Sequence, residues 1–258
     1  MQKRLDINRQ RLDKIRSMTP TEQRTHDEAI AFARTNKKAI AKRLTNKAIH
    51  PPEEEPVSVF MAGSPGAGKT EASLELLNFF SDAPPLRIDP DELRVEFPGY
   101  TGGNAWLFQA AVSILVEKII DLAFDNRQSF LLDGTLANLD KARDNIRRSL
   151  RKGRFVQILY VYQDPLLAWQ FVQAREAAEG RRILPEHFVD QYFAARDVVN
   201  TLKLEFGKKV HVDLLLKYID NSSRLYKAGV DKIDYHIPEN YSRPELRAKL
   251  GLTDGANP

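Results

Sequence analysis

Val57-Ser58-Val59-Phe60-Met61-Ala62-Gly63-Ser64-Pro65-Gly66-Ala67-Gly68-Lys69-Thr70 decides the fold of this 258-residue chain. A β-branched, apolar run enters a loop of the form G-x-x-x-x-G-K-[ST], and Glu71-Ala72-Ser73-Leu74-Glu75-Leu76-Leu77 continues as a helix. That strand–loop–helix context is what a phosphate-binding P-loop requires. The glycines let backbone N–H groups surround phosphate oxygens, and the helix start adds the positive end of its dipole. Gly63, Ser64, Pro65, Gly66, Ala67 and Gly68 then form the cradle, Lys69 reaches the β- and γ-phosphates, and the Thr70 hydroxyl is a ligand for Mg²⁺.

The rest of the composition narrows the class. A hydrophobic share of 42% with 29% charged residues is that of an ordinary soluble protein. With no cysteine, disulfides, thiol catalysis and Cys-based zinc sites are excluded. No signal peptide is visible after Met1-Gln2-Lys3-Arg4, and no apolar run is long enough to span a membrane, so a cytoplasmic setting is expected. The basic charge is uneven. Residues 1–50 carry 13 Lys and Arg against 5 Asp and Glu, whereas residues 51–258 are net acidic by four charges. A basic helical arm binds nucleic acid or an acidic partner in some proteins and is a solvated face in most. The acidic remainder argues against nucleic acid as a partner, because phosphate backbones demand a basic surface.

The arm reads as helix: Thr19-Pro20-Thr21-Glu22 is a capping box, and Ile30, Ala33, Ile40 and Leu44 recur at near-helical spacing. Pro51-Pro52-Glu53-Glu54-Glu55-Pro56 is a linker. Strands are expected at 57–62, 86–89, 129–133, 155–162 and 210–216, and helices at 70–81, 104–126, 138–152, 165–178 and 185–206. This alternation predicts an α/β, P-loop kinase-type fold over 57–236: a mostly parallel sheet with helices on both faces, preceded by the helical arm. Residues 237–258 read as a loosely held tail.

Three further stretches carry chemistry. In Leu86-Arg87-Ile88-Asp89-Pro90-Asp91-Glu92, a short strand ends in two carboxylates. Asp89 reads either as the cap of a capping box completed by Glu92 or as a site residue. Asp91 is placed to accept the proton of a hydroxyl attacking a γ-phosphate; the alternative is an acid placed for a helix dipole. In Phe130-Leu131-Leu132-Asp133-Gly134-Thr135, an apolar strand ends in an acid suited to Mg²⁺, or to capping the next helix, and Thr135 offers a hydroxyl. Arg175, Arg181 and Arg182 flank Gly180, a helix C-cap; they suit a lid over triphosphate, or simply the end of a helix dipole. Glu117, within an apolar helix, reads from spacing alone as a solvated flank.

Gly63–Thr70, Asp89-Pro90-Asp91, Glu117 and Asp133-Gly134-Thr135 together resemble the zeta toxin family of small-molecule kinases over roughly residues 57–220. The resemblance implies ATP and Mg²⁺ as cofactors and a hydroxyl of a nucleotide sugar, UDP-N-acetylglucosamine, as acceptor. It implies a toxin with an antitoxin partner. Asp91 falls on the family's general base, Glu117 on its sugar-binding acid, sixteen residues before Asp133, and Arg175 and Arg182 on its phosphate-bracketing arginines, with Arg181 the near competitor of Arg182. Asp89, Asp133 and Thr135 fall along the acceptor, and Thr70 with Asp133 at the metal. Two departures stand out. The family's usual Glu is Asp133 here, and the stretch Phe97–Trp106 beside the acceptor is shorter. Rival expectations are the same architecture with another small-molecule or nucleic-acid 5′ hydroxyl as acceptor, and an ATP-binding regulator acting through the arm.

Overall fold

The computed structural model describes residues 18–80, 84–180, 183–217, 224–238 and 241–252. Helix α1 (Pro20–Leu44) begins with the expected capping box: Thr19 Oγ1 accepts from the Glu22 N–H, and Glu22 returns to the Thr19 N–H at 2.8 Å. Strand β1 (Val57–Ala62) leads through the loop into α2 (Lys69–Asn78), and β2 (Leu86–Ile88) follows. Next come α3 (Gln109–Asp125), β3 (Phe130–Leu132), α4 (Leu139–Arg151) and β4 (Phe155–Tyr162). The chain continues through α5 (Pro165–Glu179), α6 (Pro185–Phe206), β5 (His211–Lys217), β6 (Arg224–Lys227) and α7 (Arg243–Lys249).

The sheet runs in the order β2-β3-β1-β4-β5-β6. The first five strands are parallel, and β6 closes the edge antiparallel to β5 with Leu216 opposite Leu225. The expected α/β architecture is therefore the one observed. Helices lie on both faces, but unevenly. Phe60, Phe130, Ile158, Tyr160 and Leu214 point to one large core shared with residues of α1, α3, α4, α5, α6 and α7. Val59, Met61, Leu131, Leu159 and Val161 point to the other face, where Ala67 and Ala72 of the loop and α2 cover them. Alternate side chains of a strand serve opposite faces, so the P-loop helix occupies one side of the sheet and most helices the other.

Four local readings change. The helix expected over 104–126 is a 3₁₀ turn (Ala105–Phe108) followed by α3. No capping box forms at 89–92. Asp89 Oδ1 instead accepts from the Asp91 N–H at 2.7 Å, a 3₁₀ turn spans Glu92–Glu96, and Glu92 turns to Arg87. The tail holds α7, which starts with its own capping box at Ser242 and buries Leu246 completely. The proline-rich stretch before β1 is fastened, with Glu53 Oε2 accepting from Ser129 Oγ at 2.7 Å and the Glu53 N–H donating to the Arg127 carbonyl at 2.8 Å.

Helix α1 packs along α3 and against the 92–97 turn. Ala29, Ala33 and Ala41 are buried, small enough to let the two helices approach. Phe32 meets Phe97 with ring centroids 5.6 Å apart, and Arg43 pairs with Glu96 at 2.6 Å. Arg24, Arg34, Lys38 and Lys42 stay exposed, as a solvated face would. Among the described residues, no helix is long and apolar enough to cross a membrane.

Candidate active site

The site is built where parallel strands present their carboxyl ends, the usual ligand side of such a sheet. The loop between β1 and α2 is packed from three sides. Gly63 has φ +134°, and a Cβ there would overlap the Val161 carbonyl oxygen of β4. Gly66, with φ +73°, faces α5 so closely that a Cβ would overlap the Ala168 carbonyl oxygen. Gly68 is left-handed and precedes the first residue of α2, with Lys217 Nζ against it. These positive-φ positions require glycine, since only glycine adopts them without strain. Ser64, Pro65 and Ala67 are buried in the loop wall. Lys69 Nζ donates to the Ser64 carbonyl at 2.6 Å and to the Gly63 carbonyl at 3.1 Å, so its ammonium lies over the cradle. Thr70 occupies the first turn of α2.

Three carboxylates gather beside the loop from neighbouring strand ends. Asp89 follows β2 and is 8% exposed, while Asp133 follows β3 with a side chain 4% exposed. Asp91 keeps 34% of its side chain exposed, which makes it the most accessible of the three. Arg94, itself buried, pairs with Asp91 through Nη1, and its Nη2 donates to Gln109 Oε1 at 3.0 Å. Burial pushes the Asp89 carboxyl up. The Asp91 N–H and Arg87 pull the other way, and the charges of Asp133 and Asp91 add to the rise.

Three residues in this region carry no role in the sequence reading: Arg94, which pairs with Asp91, and Arg87 and Lys217. Arg87 contacts Asp89, Asp133, Glu92 and Ser73. Lys217, the last residue of β5, donates from Nζ to the Gly68 carbonyl at 3.1 Å. The signal for Arg87 was its place two residues before Asp89 on a strand, which puts it on the same sheet face as its neighbours' acids. Nothing local announces Lys217.

The sequence profile of the family described as Zeta toxin matches residues 40–231. The chain belongs to the zeta toxin family. Family membership brings kinase-type phosphotransferase chemistry on a nucleotide-binding loop. No curated protein sequence matches the chain. One similar solved structure is the PezAT chromosomal toxin–antitoxin system of Streptococcus pneumoniae, at 18% identity and TM-score 0.58, over 92% of this chain and 95% of that one. Another is the AvrRxo1-ORF1:ORF2 assembly with ATP, at 13% identity and TM-score 0.53, over 87% of this chain and 74% of that one. The same assembly with sulphate ions gives 13% identity and TM-score 0.55, over the same shares. At these identities the likeness is one of fold.

The residues that the zeta toxin resemblance singled out are only partly brought together. Asp89, Asp91 and Asp133 stand beside the loop, and the Thr135 carbonyl accepts from the Gly63 N–H at 3.3 Å. A Cβ at Gly134 would meet nothing within 4 Å, so that turn faces open space. Arg175 lies seven residues after Ala168 and three after Val172, on the helix stripe that faces Gly66. Its position is exposed. Helix α5 ends as expected at Gly180, left-handed at φ +69°, and a Cβ at Gly103 would stand 4.0 Å from the Gly180 carbonyl oxygen. Arg181 and Arg182 lie outside the described residues. Glu117 is exposed on α3, eight residues beyond Gln109, or about 12 Å along the axis at about 1.5 Å per residue, away from the Arg94–Asp91 pair.

Proposed function

We propose that this protein is an ATP-dependent kinase that phosphorylates a hydroxyl of a nucleotide sugar, with UDP-N-acetylglucosamine as the foremost acceptor, and that it acts as the toxin of a toxin–antitoxin pair. The observation that carries the reading is the accessible Asp91 carboxylate, fixed by buried Arg94, on the strand end beside a P-loop whose Lys69 overlies the cradle.

The loop amides and Lys69 bind the triphosphate end of ATP and offset its charge. The acceptor hydroxyl lies against Asp91. Its oxygen bonds to the γ-phosphorus, the bond from that phosphorus to the bridging oxygen breaks, and the hydroxyl proton passes to Asp91. ADP leaves with the bridging oxygen. Arg175, with Arg181 or Arg182, neutralises charge on the transferring group from the lid side. Glu117 and Thr135 orient the sugar, which for Glu117 requires an acceptor long enough to reach along α3.

Mg²⁺ fits the donors present. Thr70 and Asp133 supply hard oxygens, and this ion takes one or two protein oxygens together with substrate phosphates. Asp133 Oδ2 is engaged by Ser73 and Arg87, so Asp133 would offer its other oxygen. When bound, the ion neutralises charge on the β- and γ-phosphate oxygens.

The deciding experiment is incubation with ATP, Mg²⁺ and a metabolite extract, followed by mass spectrometry. One nucleotide sugar gaining one phosphate is the expected result. Phosphate gained only by an oligonucleotide 5′ end or a drug, or ATP loss without any phosphorylated product, overturns it.

A further inference from the structure

Arg87 sends its side chain from β2 toward the face of the sheet that carries α2. The side chain is 10% exposed. Nη2 donates to Asp89 Oδ2 at 2.6 Å and to Asp133 Oδ2 at 2.7 Å. Nη1 donates to Glu92 Oε1 at 2.6 Å, and Nε to Ser73 Oγ at 3.1 Å. These partners belong to four places: the end of β2, the end of β3, the turn after Asp91, and α2. Ser73 Oγ also lies 2.8 Å from Asp133 Oδ2 and 2.8 Å from the Thr70 carbonyl. A single planar cation thus joins the P-loop helix to both buried acids.

Two effects explain why the cation is needed. Asp89 and Asp133 are both withdrawn from water, and like charges so placed repel and are costly to desolvate. Arg87 lies between them and pairs with both. The carboxylates of Asp89, Asp133 and Glu92 in turn offset the cost of burying the Arg87 charge. The second effect is geometric. Asp89 Oδ1 accepts the backbone N–H of Asp91 at 2.7 Å. The orientation of Asp89 therefore sets the backbone that carries Asp91, and the orientation of Asp133 is set against α2.

We propose that Arg87 is a positioning residue for phosphoryl transfer: through Asp133 and Asp89 it holds the P-loop helix and the Asp91 backbone in mutual register. It acts through these acids and touches neither ATP nor the acceptor. The inference rests on the kinase reading. A lysine in its place keeps the charge but not the fork, and a point charge cannot hold three carboxylates and a hydroxyl at fixed angles.

The test compares Arg87→Met, Arg87→Lys, Asp133→Asn and the double variant Arg87→Met/Asp133→Asn. For Arg87→Met, kcat falls about a hundredfold, the scale of an ångström-sized misplacement, while the dissociation constant for ATP measured by calorimetry stays within about threefold, since the loop that holds the phosphates is unaltered. Arg87→Lys recovers part of the loss. The double variant is no slower than its worse parent, because both changes break one linkage. Crystal structures of the variants show the Asp89 and Asp133 carboxylates turned away from their present partners. Unchanged kcat, additive losses, or carboxylates that keep their positions each overturn the inference. Should Arg87→Met fail to fold, Arg87→Lys carries the same comparison. A wild-type chain that phosphorylates nothing sinks the kinase reading instead, and the carboxylate positions in the variants then decide the positioning role by themselves.

Discussion

Lys217 Nζ donates to the Gly68 carbonyl at 3.1 Å, tying the end of β5 to the left-handed residue that precedes the P-loop helix. The side chain is 5% exposed. Burial lowers the pKa of its ammonium from 10.5, partly offset by Glu71 and Glu75, with Arg224 adding to the fall. An amine with a depressed folded pKa releases its proton earlier in the folded chain than in the unfolded one. Between the folded value and 10.5 the unfolded chain therefore holds more protons, and stability rises with pH across that window. Lys217→Met removes this slope. Urea unfolding of wild type and variant from pH 8 upward should show the variant's relative stability shrinking as pH rises; a constant difference would refute the assignment.

Two glycines of one loop should differ sharply. A Cβ at Gly66 meets backbone, the Ala168 carbonyl, which cannot move without displacing α5. A Cβ at Gly68 meets the far end of Lys217, a flexible side chain that can swing away. Both substitutions carry the strain of positive φ, about 1–2 kcal/mol for a residue with a Cβ. Gly66→Ala adds a steric term and should lower the melting temperature by several degrees more than Gly68→Ala. It should also weaken ATP binding measured by calorimetry. Equal melting temperatures for the two variants would contradict the packing of the loop on α5.

Helix α1 belongs to the main core rather than standing beside it: Ala33 is fully buried among residues of that core. Ala33→Leu forces extra methylenes into this contact and should cost about 1–3 kcal/mol. Arg34→Ala, one residue on and exposed, should stay within about 0.5 kcal/mol. Removing residues 1–50 should then leave a chain that unfolds or aggregates, not an active kinase. Circular dichroism and denaturant titration of the truncated protein decide this, and a stable, fully active truncation would show the arm to be dispensable.

What the sequence made legible was local. The P-loop announces itself because its glycines, lysine and threonine are contiguous, and the strands because apolar runs of 57–62 and 155–162 have length and β-branching. The roles of Arg87 and Lys217 were not legible, because their partners are distant in the chain: Asp133 lies 46 residues from Arg87, and Gly68 lies 149 residues from Lys217. Strand β6 escaped notice since Arg224-Leu225-Tyr226-Lys227 is an edge with little burial and no clear alternation. Helix α7 had a readable signal in Ser242-Arg243-Pro244-Glu245, a capping box inside a tail judged by its overall composition. The expectation that Glu117 binds the sugar rests on family spacing alone, and the described geometry sets it apart from the three clustered acids.

Asp91 and Asp89 sit two residues apart, yet their surroundings differ. Asp89 is buried, receives the Asp91 N–H and pairs with Arg87, all of which fix structure. Asp91 is about one-third exposed and pairs with buried Arg94, and under the proposed kinase reading it is the acid that meets the acceptor hydroxyl. Asp91→Asn keeps the size of the side chain and an oxygen for Arg94 but cannot take a proton. The expected result is a loss of kcat of about 10²–10⁴-fold, the range for a general base, with the ATP dissociation constant unchanged, because no phosphate contact is removed. For Asp89→Asn the loss should be smaller and accompanied by a lower melting temperature, since the charge opposite Arg87 is gone. Steady-state transfer to the identified acceptor, calorimetry with ATP and thermal melting of both variants separate the two roles. If Asp89→Asn proves the more damaging to kcat at unchanged stability, the base is Asp89 and the assignment of Asp91 fails.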